Sequence, residues 1–366
     1  MNEHNSKTQW NEYVQTEMDA VQPLLQEAGF TLDDEQPHVI GERYVIRAVT
    51  TASGEKMVLL GRNAKDGKRV VIKVSSDEEG KKELEHERRA KALLEKLHFA
   101  YDVFVTPQEL FFTESDGRMV AVYEYIEQEK QFIDRPTPEQ FTYALCAFKA
   151  QEGAHATTHR HTKLIHDVFE TRDAASYLAE HERFKTTITD FDARTEPLLR
   201  DVYTLLSDNR EVIDRYGSFL THTDFVPHNF RIQDDVIYLL DYSSLRFGNK
   251  YEGWARFLNF MTLYNPELEM ALTQYVADNR SLDEQCSLKM MRLYRLSELA
   301  AFYVGTLSKA TGALHTLNKT RVYFWLDALA ALYSGEMLGE EARAEYQRTR
   351  DALRSEDEKR RQKNLH

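Results

Sequence analysis

Two residue patterns of different period meet in this chain at Glu127, and together they fix what it can fold into. Between Val39 and Glu127 the apolar residues fall in short runs rich in Val and Ile. The runs are Arg43–Val49, Lys56–Leu60, Arg69–Val74, Gln108–Thr113 and Arg118–Tyr125. Turn formers separate several of them, notably Thr51-Ala52-Ser53-Gly54, Asp66-Gly67 and Ser115-Asp116-Gly117. β-Branched runs bounded by such turns read as antiparallel strands joined by hairpins. Leu84, Ala90, Leu93, Leu94 and Leu97 recur at helical spacing, so a helix over about Glu79–Leu97 divides the third strand from the fourth. After Glu127 the pattern is mostly helical, with candidates at Phe141–Gly153, Arg172–Lys185, Glu196–Tyr216 and from Trp254 to about residue 338. A short apolar entry, Phe219–His222, and a strand, Val236–Leu240, interrupt it. The expected architecture is α+β and bilobal: a small antiparallel five-stranded β lobe with one helix, then a large, mostly helical lobe.

The boundaries follow from the same patterns. Residues 1–38 form an N-terminal helical extension, marked by Tyr13, Met18, Val21, Leu24 and Leu25 and stopped at Gly29. Residues 39–127 form the β lobe and 128–340 the helical lobe. Residues 341–366 are dense in both charge signs and are expected to be a solvated helix that frays. The 60 acidic and 47 basic residues leave a net charge of −13, which repels phosphate backbones and argues against nucleic acid as a partner. The two cysteines, Cys146 and Cys286, stand far apart, so no disulfide framework organises the fold and a reducing compartment fits. The N-terminal residues lack the basic start and apolar stretch of a signal peptide, and no apolar run approaches the roughly 20 residues a bilayer requires. The expected location is the cytoplasm, without a membrane partner. The oligomeric state is left open.

The densest chemistry lies in Thr221-His222-Thr223-Asp224-Phe225-Val226-Pro227-His228-Asn229, followed by Val236-Ile237-Tyr238-Leu239-Leu240-Asp241. Asp224 and Asn229 are five residues apart (229 − 224), and Asp241 ends an apolar strand twelve residues later (241 − 229). Phosphoryl transfer needs groups of this kind. One carboxylate orients the attacking hydroxyl and accepts its proton, while an amide oxygen and a second carboxylate hold Mg²⁺ against the phosphates. A tight loop with a short strand returning beside it brings the three together. A second signal is Val70-Val71-Ile72-Lys73-Val74, because a lysine in an apolar strand is costly without an anionic partner.

The order His-x-Asp-x-x-x-x-Asn followed by a strand ending in Asp resembles the catalytic and metal-binding segments of the aminoglycoside phosphotransferases and their small-molecule kinase relatives, which have a protein-kinase-like fold. The resemblance covers roughly Arg43 to Tyr264. It implies ATP and Mg²⁺ as cofactors, Asp224 as catalytic base, and Asn229 and Asp241 as metal ligands, with His222 bracing the loop. Lys73 takes the role of the strand lysine that reaches the α- and β-phosphates and pairs with a helix glutamate. Glu87 is favoured for that glutamate because it shares a face with Ala90, Leu94 and Leu97; Glu83 is the alternative, one turn earlier, and Glu85 points elsewhere. Ser53 and Gly54 are the expected phosphate contacts of the loop between the first two strands, against the reading of an ordinary hairpin turn. Glu124 and Ile126 lie in the interlobe connection that binds adenine through its backbone in this fold.

Departures narrow the reading. Val226 and His228 stand where protein kinases carry Lys or Arg, Tyr242-Ser243-Ser244 follows Asp241, and no Ala-Pro-Glu segment follows. Thr223 and His228 replace glycines usual in the small-molecule family, which marks a divergent member. The expected reaction is transfer of the γ-phosphate of ATP to a hydroxyl of a small molecule. A cationic acceptor, with aminoglycosides as the lead class, is suggested by Glu170, Asp173, Glu180, Glu182, Asp190 and Asp192 ahead of the catalytic loop; a neutral acceptor is the competing view. A protein kinase and an inactive nucleotide-binding pseudokinase remain as alternatives. His155, His159, His161 and His166 cluster without a completing carboxylate or cysteine, so a solvated polar segment is favoured over a metal site.

Overall fold

The computed structural model describes residues 3–45, 56–97, 105–154 and 159–363. In chain order these form α1 (Glu3–Glu27), β1 (Phe30–Leu32), β2 (Met57–Asn63), β3 (Arg69–Ser75), α2 (Glu78–Lys96), β4 (Glu109–Ser115) and β5 (Arg118–Glu124). The second lobe follows with α3 (Thr137–Gly153), α4 (His159–His166), α5 (Ala174–Phe191), α6 (Glu196–Asp208), α7 (Arg210–Arg215), β6 (Phe219–His222), β7 (Phe230–Gln233), β8 (Val236–Leu239) and β9 (Leu245–Gly248). It closes with α8 (Glu252–Tyr264), α9 (Pro266–Asn279), α10 (Leu282–Leu307), α11 (Gly312–Tyr333), α12 (Glu340–Leu353) and α13 (Glu356–Lys363). Among the described residues, no helix is long and apolar enough to cross a membrane.

The β lobe is a five-stranded antiparallel sheet in the order β1-β2-β3-β5-β4. Strand alternation decides its two faces. Val70, Ile72 and Val74 of β3 are buried in a core with Leu59, Val120 and Val122 and with Val21 and Leu25 of α1. Val71 and Lys73, the alternate residues, face the cavity between the lobes. The β4–β5 turn uses Asp116 and Gly117, both with positive φ (50° and 73°), the backbone that a two-residue hairpin requires. Helix α2 is capped by the Asp77 side chain, which accepts from the Gly80 amide at 2.9 Å. Its far end buries Ala90, Leu93 and Leu97 in the core of the helical lobe, so one helix spans both lobes.

That second core is aromatic. Phe148 of α3 stacks on Trp254 of α8 with ring centroids 3.9 Å apart, and Phe225 and Phe257 pack around them. Two small antiparallel pairs, β6–β9 and β7–β8, sit on its cavity side. The β7–β8 hairpin again turns through two positive-φ residues, Asp234 and Asp235.

Two expectations need correction. The first strand of the sheet is Phe30–Leu32 rather than Arg43–Val49: Arg43–Val45 are helical, and the remainder of that run lies outside the described residues. Tyr44 and Val45 are buried against Trp10 and Val39, so the apolar run that suggested a strand serves a packed helical turn. The C-terminal segment is not a solvated, fraying helix. Tyr346 of α12 stacks on Phe324 at 4.1 Å, and Glu358 of α13 is 1% exposed.

Candidate active site

The two lobes enclose a cavity of about 590 Å³. Lys73, Glu87, Glu124, Ile126, Asp224, Asn229 and Asp241 all line it. Ser53 and Gly54 lie outside the described residues.

On the upper wall, both carboxylate oxygens of Glu87 are close to Lys73 Nζ, at 2.5 and 2.6 Å. Glu83, the alternative partner, is engaged elsewhere: its Oε1 lies 2.6 Å from Lys56 Nζ and 3.0 Å from the Ser243 hydroxyl oxygen. Lys56 is a site residue that the motif reading missed. Its ammonium also stands 3.6 Å from Asp241 Oδ1. Burial alone would lower its pKa, but the carboxylates of Asp241, Glu83 and Glu87 outweigh burial and raise it, so Lys56 is charged. The one sequence cue is that Lys56 precedes β2, the strand that pairs antiparallel with β3.

On the lower wall, β6 delivers the catalytic-type loop. His222 is fully buried, and its Nε2 donates to the Leu240 carbonyl at 3.0 Å. Burial depresses its pKa and keeps the ring neutral, as a brace requires. Asn229 Nδ2 donates to both the backbone carbonyl (2.7 Å) and Oδ2 (2.9 Å) of Asp224. The Leu240 amide donates to the Asn229 carbonyl at 2.8 Å, which ties the loop to the end of β8 and sets Asp241 beside it. Asp241 itself has left-handed backbone geometry (φ 58°), a strained conformation for a residue with a side chain. The hydroxyls of Ser243 and Ser244 donate to its two oxygens at 2.6 and 2.9 Å. Burial pushes its pKa up, yet Lys56, Lys73 and these contacts prevail and hold it below the usual carboxylate range.

A second missed residue is Arg256 on α8. Its Nε and Nη2 lie 2.9 and 2.8 Å from Asp224 Oδ1. Burial works to raise the Asp224 pKa, but Arg256, with His228 close by, keeps it well below the usual range. Asp224 is therefore ionised, oriented by Asn229 on one oxygen and by Arg256 on the other. Replacing Arg256 with methionine removes the largest opposing charge and leaves burial unbalanced, so the carboxyl pKa rises. The acid limb of a turnover-against-pH profile is then expected to move upward. An acid limb at its wild-type position would show that Arg256 does not set the ionisation of Asp224.

In the connection between the lobes, the Glu124 and Tyr125 amides donate to the carbonyls of Gln108 and Arg69. Ile126 lines the cavity, and among the described residues no hydrogen bond occupies its backbone N–H or C=O. The acidic residues ahead of the loop are largely neutralised in place. Glu170 pairs with Arg172 (2.9 Å), Glu182 with Lys185 (2.7 Å) and Asp192 with Arg194 (2.6 Å). Glu180 pairs with Arg183 at 3.1 Å, and Asp173 caps α5 by accepting from the Ser176 amide at 2.9 Å. His161 and His166 lie on α4, and His155 falls outside the described residues; no cluster of three or more His, Cys, Asp or Glu side chains placed to hold a metal occurs among those described.

No family model matches the chain, and no curated protein sequence matches it. Solved structures do. Aminoglycoside phosphotransferase APH(4)-Ia, as a thermostable mutant in ternary complex with AMP-PNP and hygromycin B, is 15% identical. The match covers 77% of this chain and 91% of that one, with a TM-score of 0.55. Macrolide 2'-phosphotransferase MphH from Brachybacterium faecium is also 15% identical, over 84% of this chain and 98% of that one, with a TM-score of 0.52. A Plasmodium vivax ethanolamine kinase is 11% identical, over 84% of each chain, with a TM-score of 0.50. The expected α+β bilobal architecture is thus the observed one, and the chain has the fold these small-molecule phosphotransferases share.

Proposed function

We propose that the protein transfers the γ-phosphoryl group of ATP to a hydroxyl of a small molecule, with Mg²⁺ as cofactor. The observation that carries this reading is the convergence on one cavity of the Lys73–Glu87 pair, the Asp224–Asn229 loop and the ionised Asp241. Lys73 and Lys56 provide fixed positive charge for the phosphates. The backbone of Ile126 offers a donor and an acceptor for the base. The acceptor hydroxyl oxygen attacks the γ-phosphorus, the bond to the bridging oxygen breaks, ADP leaves, and the hydroxyl proton passes to the Asp224 carboxylate.

The donor set fits a hard divalent cation: the oxygens of Asn229 and Asp241, the latter ionised and held by two serine hydroxyls. These two residues would hold the ion, which when bound neutralises charge on the phosphates. The relatives in the structural comparison act on aminoglycoside, macrolide and ethanolamine by their names, so the acceptor is assigned only as a hydroxyl-bearing small molecule. The carboxylates that suggested a cation are mostly paired within the protein and add no separate argument for one.

The test is transfer of labelled γ-phosphate across a panel of small hydroxyl compounds with Mg²⁺ titrated. Asp241→Ala is expected to raise the Mg²⁺ needed for half-maximal nucleotide binding by about tenfold or more. Unchanged Mg²⁺ dependence removes Asp241 from the metal site. No labelled product with any acceptor, and no binding of nucleotide, sinks the reading as a whole.

A further inference from the structure

Three arginines reach the same cavity from elements outside the motifs: Arg43 ahead of β2, Arg231 on β7 and Arg361 on α13. Their partners are few. Among the described residues, neither Arg43 nor Arg231 has a carboxylate within ion-pair distance. Among the described residues, the Arg231 guanidinium donates to the carbonyls of His228 (3.2 Å) and Phe230 (3.0 Å) alone. Arg361 also repels Arg43. Burial and then the neighbouring Arg361 lower the pKa of Arg43 despite the opposing pull of Glu83, Glu358 and Asp241, and burial lowers that of Arg231. His38, on the same wall, is pushed down to about 4 by burial, then by Arg231, Arg361 and Arg43. Half-buried like charges around a cavity cost free energy unless an anion enters.

The position of Arg361 is built rather than incidental. Glu358, one turn earlier on α13, accepts from the Glu42 amide at 2.9 Å and from Arg361 at 2.9 and 2.6 Å. Gly41 (φ +73°) lies so close that a Cβ there would meet Glu358 Oε2 at 2.4 Å. The Glu42 carboxylate in turn takes Arg321 of α11 at 2.8 Å. The C-terminal helix is therefore latched to the turn that carries Arg43, with its arginine directed at the cavity.

We propose that Arg43, Arg231 and Arg361 form a polyphosphate subsite, with the C-terminal helix as one wall and the donor nucleotide as the source of the phosphate. The source rests on the nucleotide reading above; the anion chemistry does not. Each guanidinium presents a planar fork of donors suited to phosphate oxygens. The subsite supplements the Lys73 side of the cavity, where the lysines are already answered by Glu87, Glu83 and Asp241; Arg361 is likewise held by Glu358, so Arg43 and Arg231 supply the charge that has no carboxylate partner among the described residues.

The experiment is calorimetric titration of the full chain, as wild type, Arg361→Gln and Arg43→Gln, with AMP-PNP, ADP, adenosine and tripolyphosphate. Loss of a charge-assisted contact is expected to weaken AMP-PNP and ADP by about tenfold or more in each variant, with adenosine changed by less than about twofold. Arg361→Gln also loosens the contact with Glu358; Arg43→Gln breaks no ion pair among the described residues and separates binding from tail docking. Equal loss for adenosine and ADP, or unchanged ADP affinity in both variants, overturns the subsite while leaving nucleotide binding intact. If the wild type binds neither ADP nor adenosine, but binds tripolyphosphate in a manner lost in both variants, the anion subsite stands and the nucleotide reading falls.

Discussion

Replacing Asp224 with alanine is expected to lower turnover by about two to four orders of magnitude, with nucleotide affinity changed by less than about threefold. The asymmetry follows from what Asp224 touches. Its oxygens are held by Asn229 and Arg256 at the base of the cavity, whereas the cationic groups assigned to the phosphates, Lys73 and Lys56, pair with other carboxylates. Asparagine at the same position keeps the shape and can still accept from Asn229, but it cannot take the acceptor proton. Comparable losses in both variants would mark proton acceptance as the role; activity recovered by asparagine would mark positioning alone. Single-turnover transfer with calorimetric nucleotide titration separates turnover from binding. Wild-type turnover in Asp224→Ala on a verified acceptor would remove this residue from the chemistry.

What was legible in the sequence is what lies close along the chain. Asp224, Asn229 and Asp241 sit within one loop and one returning strand, so their spacing already determines that they meet. Lys73 was legible because alternation in an apolar strand must send it to one face, and Glu87 because helical spacing put it in line with Ala90 and Leu94. Arg256 follows Asp224 by 32 residues and reaches it only after β9 and α8 have folded back. Its charge has no period to betray it. Lys56 was hidden in a similar way, since its partners Glu83 and Asp241 belong to a helix and a strand end that only the closed cavity unites.

The tail and the first strand failed for different reasons. Mixed charge at 356–363 is what a solvated helix looks like, and composition does not reveal that Glu358 finds an amide 316 residues away. Phe30–Leu32 is too short to show alternation, and Gly29 (φ +85°) before it reads only as a helix stop. Arg43–Val49 carried a stronger β-like pattern, yet its described part is helical because burial, rather than strand pairing, is what Tyr44 and Val45 satisfy.

The largest expected loss of stability is at Glu252, the first residue of α8. It is fully buried and collects the Arg246 guanidinium (Nε at 3.1 Å), the Arg295 guanidinium at 3.5 Å and the Tyr177 hydroxyl at 2.8 Å. Burial alone would raise its pKa; Arg246 and Arg295 more than offset that and lower it. Because the folded value lies below the ordinary 4.5, the ionised carboxylate contributes its full stabilisation above that pH. The contribution fades as pH falls through the depressed folded value. Glu252→Gln leaves two arginines, 8% and 6% exposed, without this shared counter-charge. Breaking one side of a buried ion cluster costs about 3–5 kcal/mol, which denaturant unfolding at neutral pH should record. Removing the orphaned charge as well, in Glu252→Gln with Arg246→Met, should recover part of the loss, because the penalty comes from the charge left behind. The same cluster steadies the candidate active site: Arg295 donates to the carbonyl of Thr223, the residue before Asp224. Turnover in Glu252→Gln should therefore fall under conditions where the protein is still folded, with less change in nucleotide affinity. A loss below about 1 kcal/mol, or no recovery in the double variant, would mean that hydration or local rearrangement satisfies the arginines and that the buried charge does not hold this lobe together.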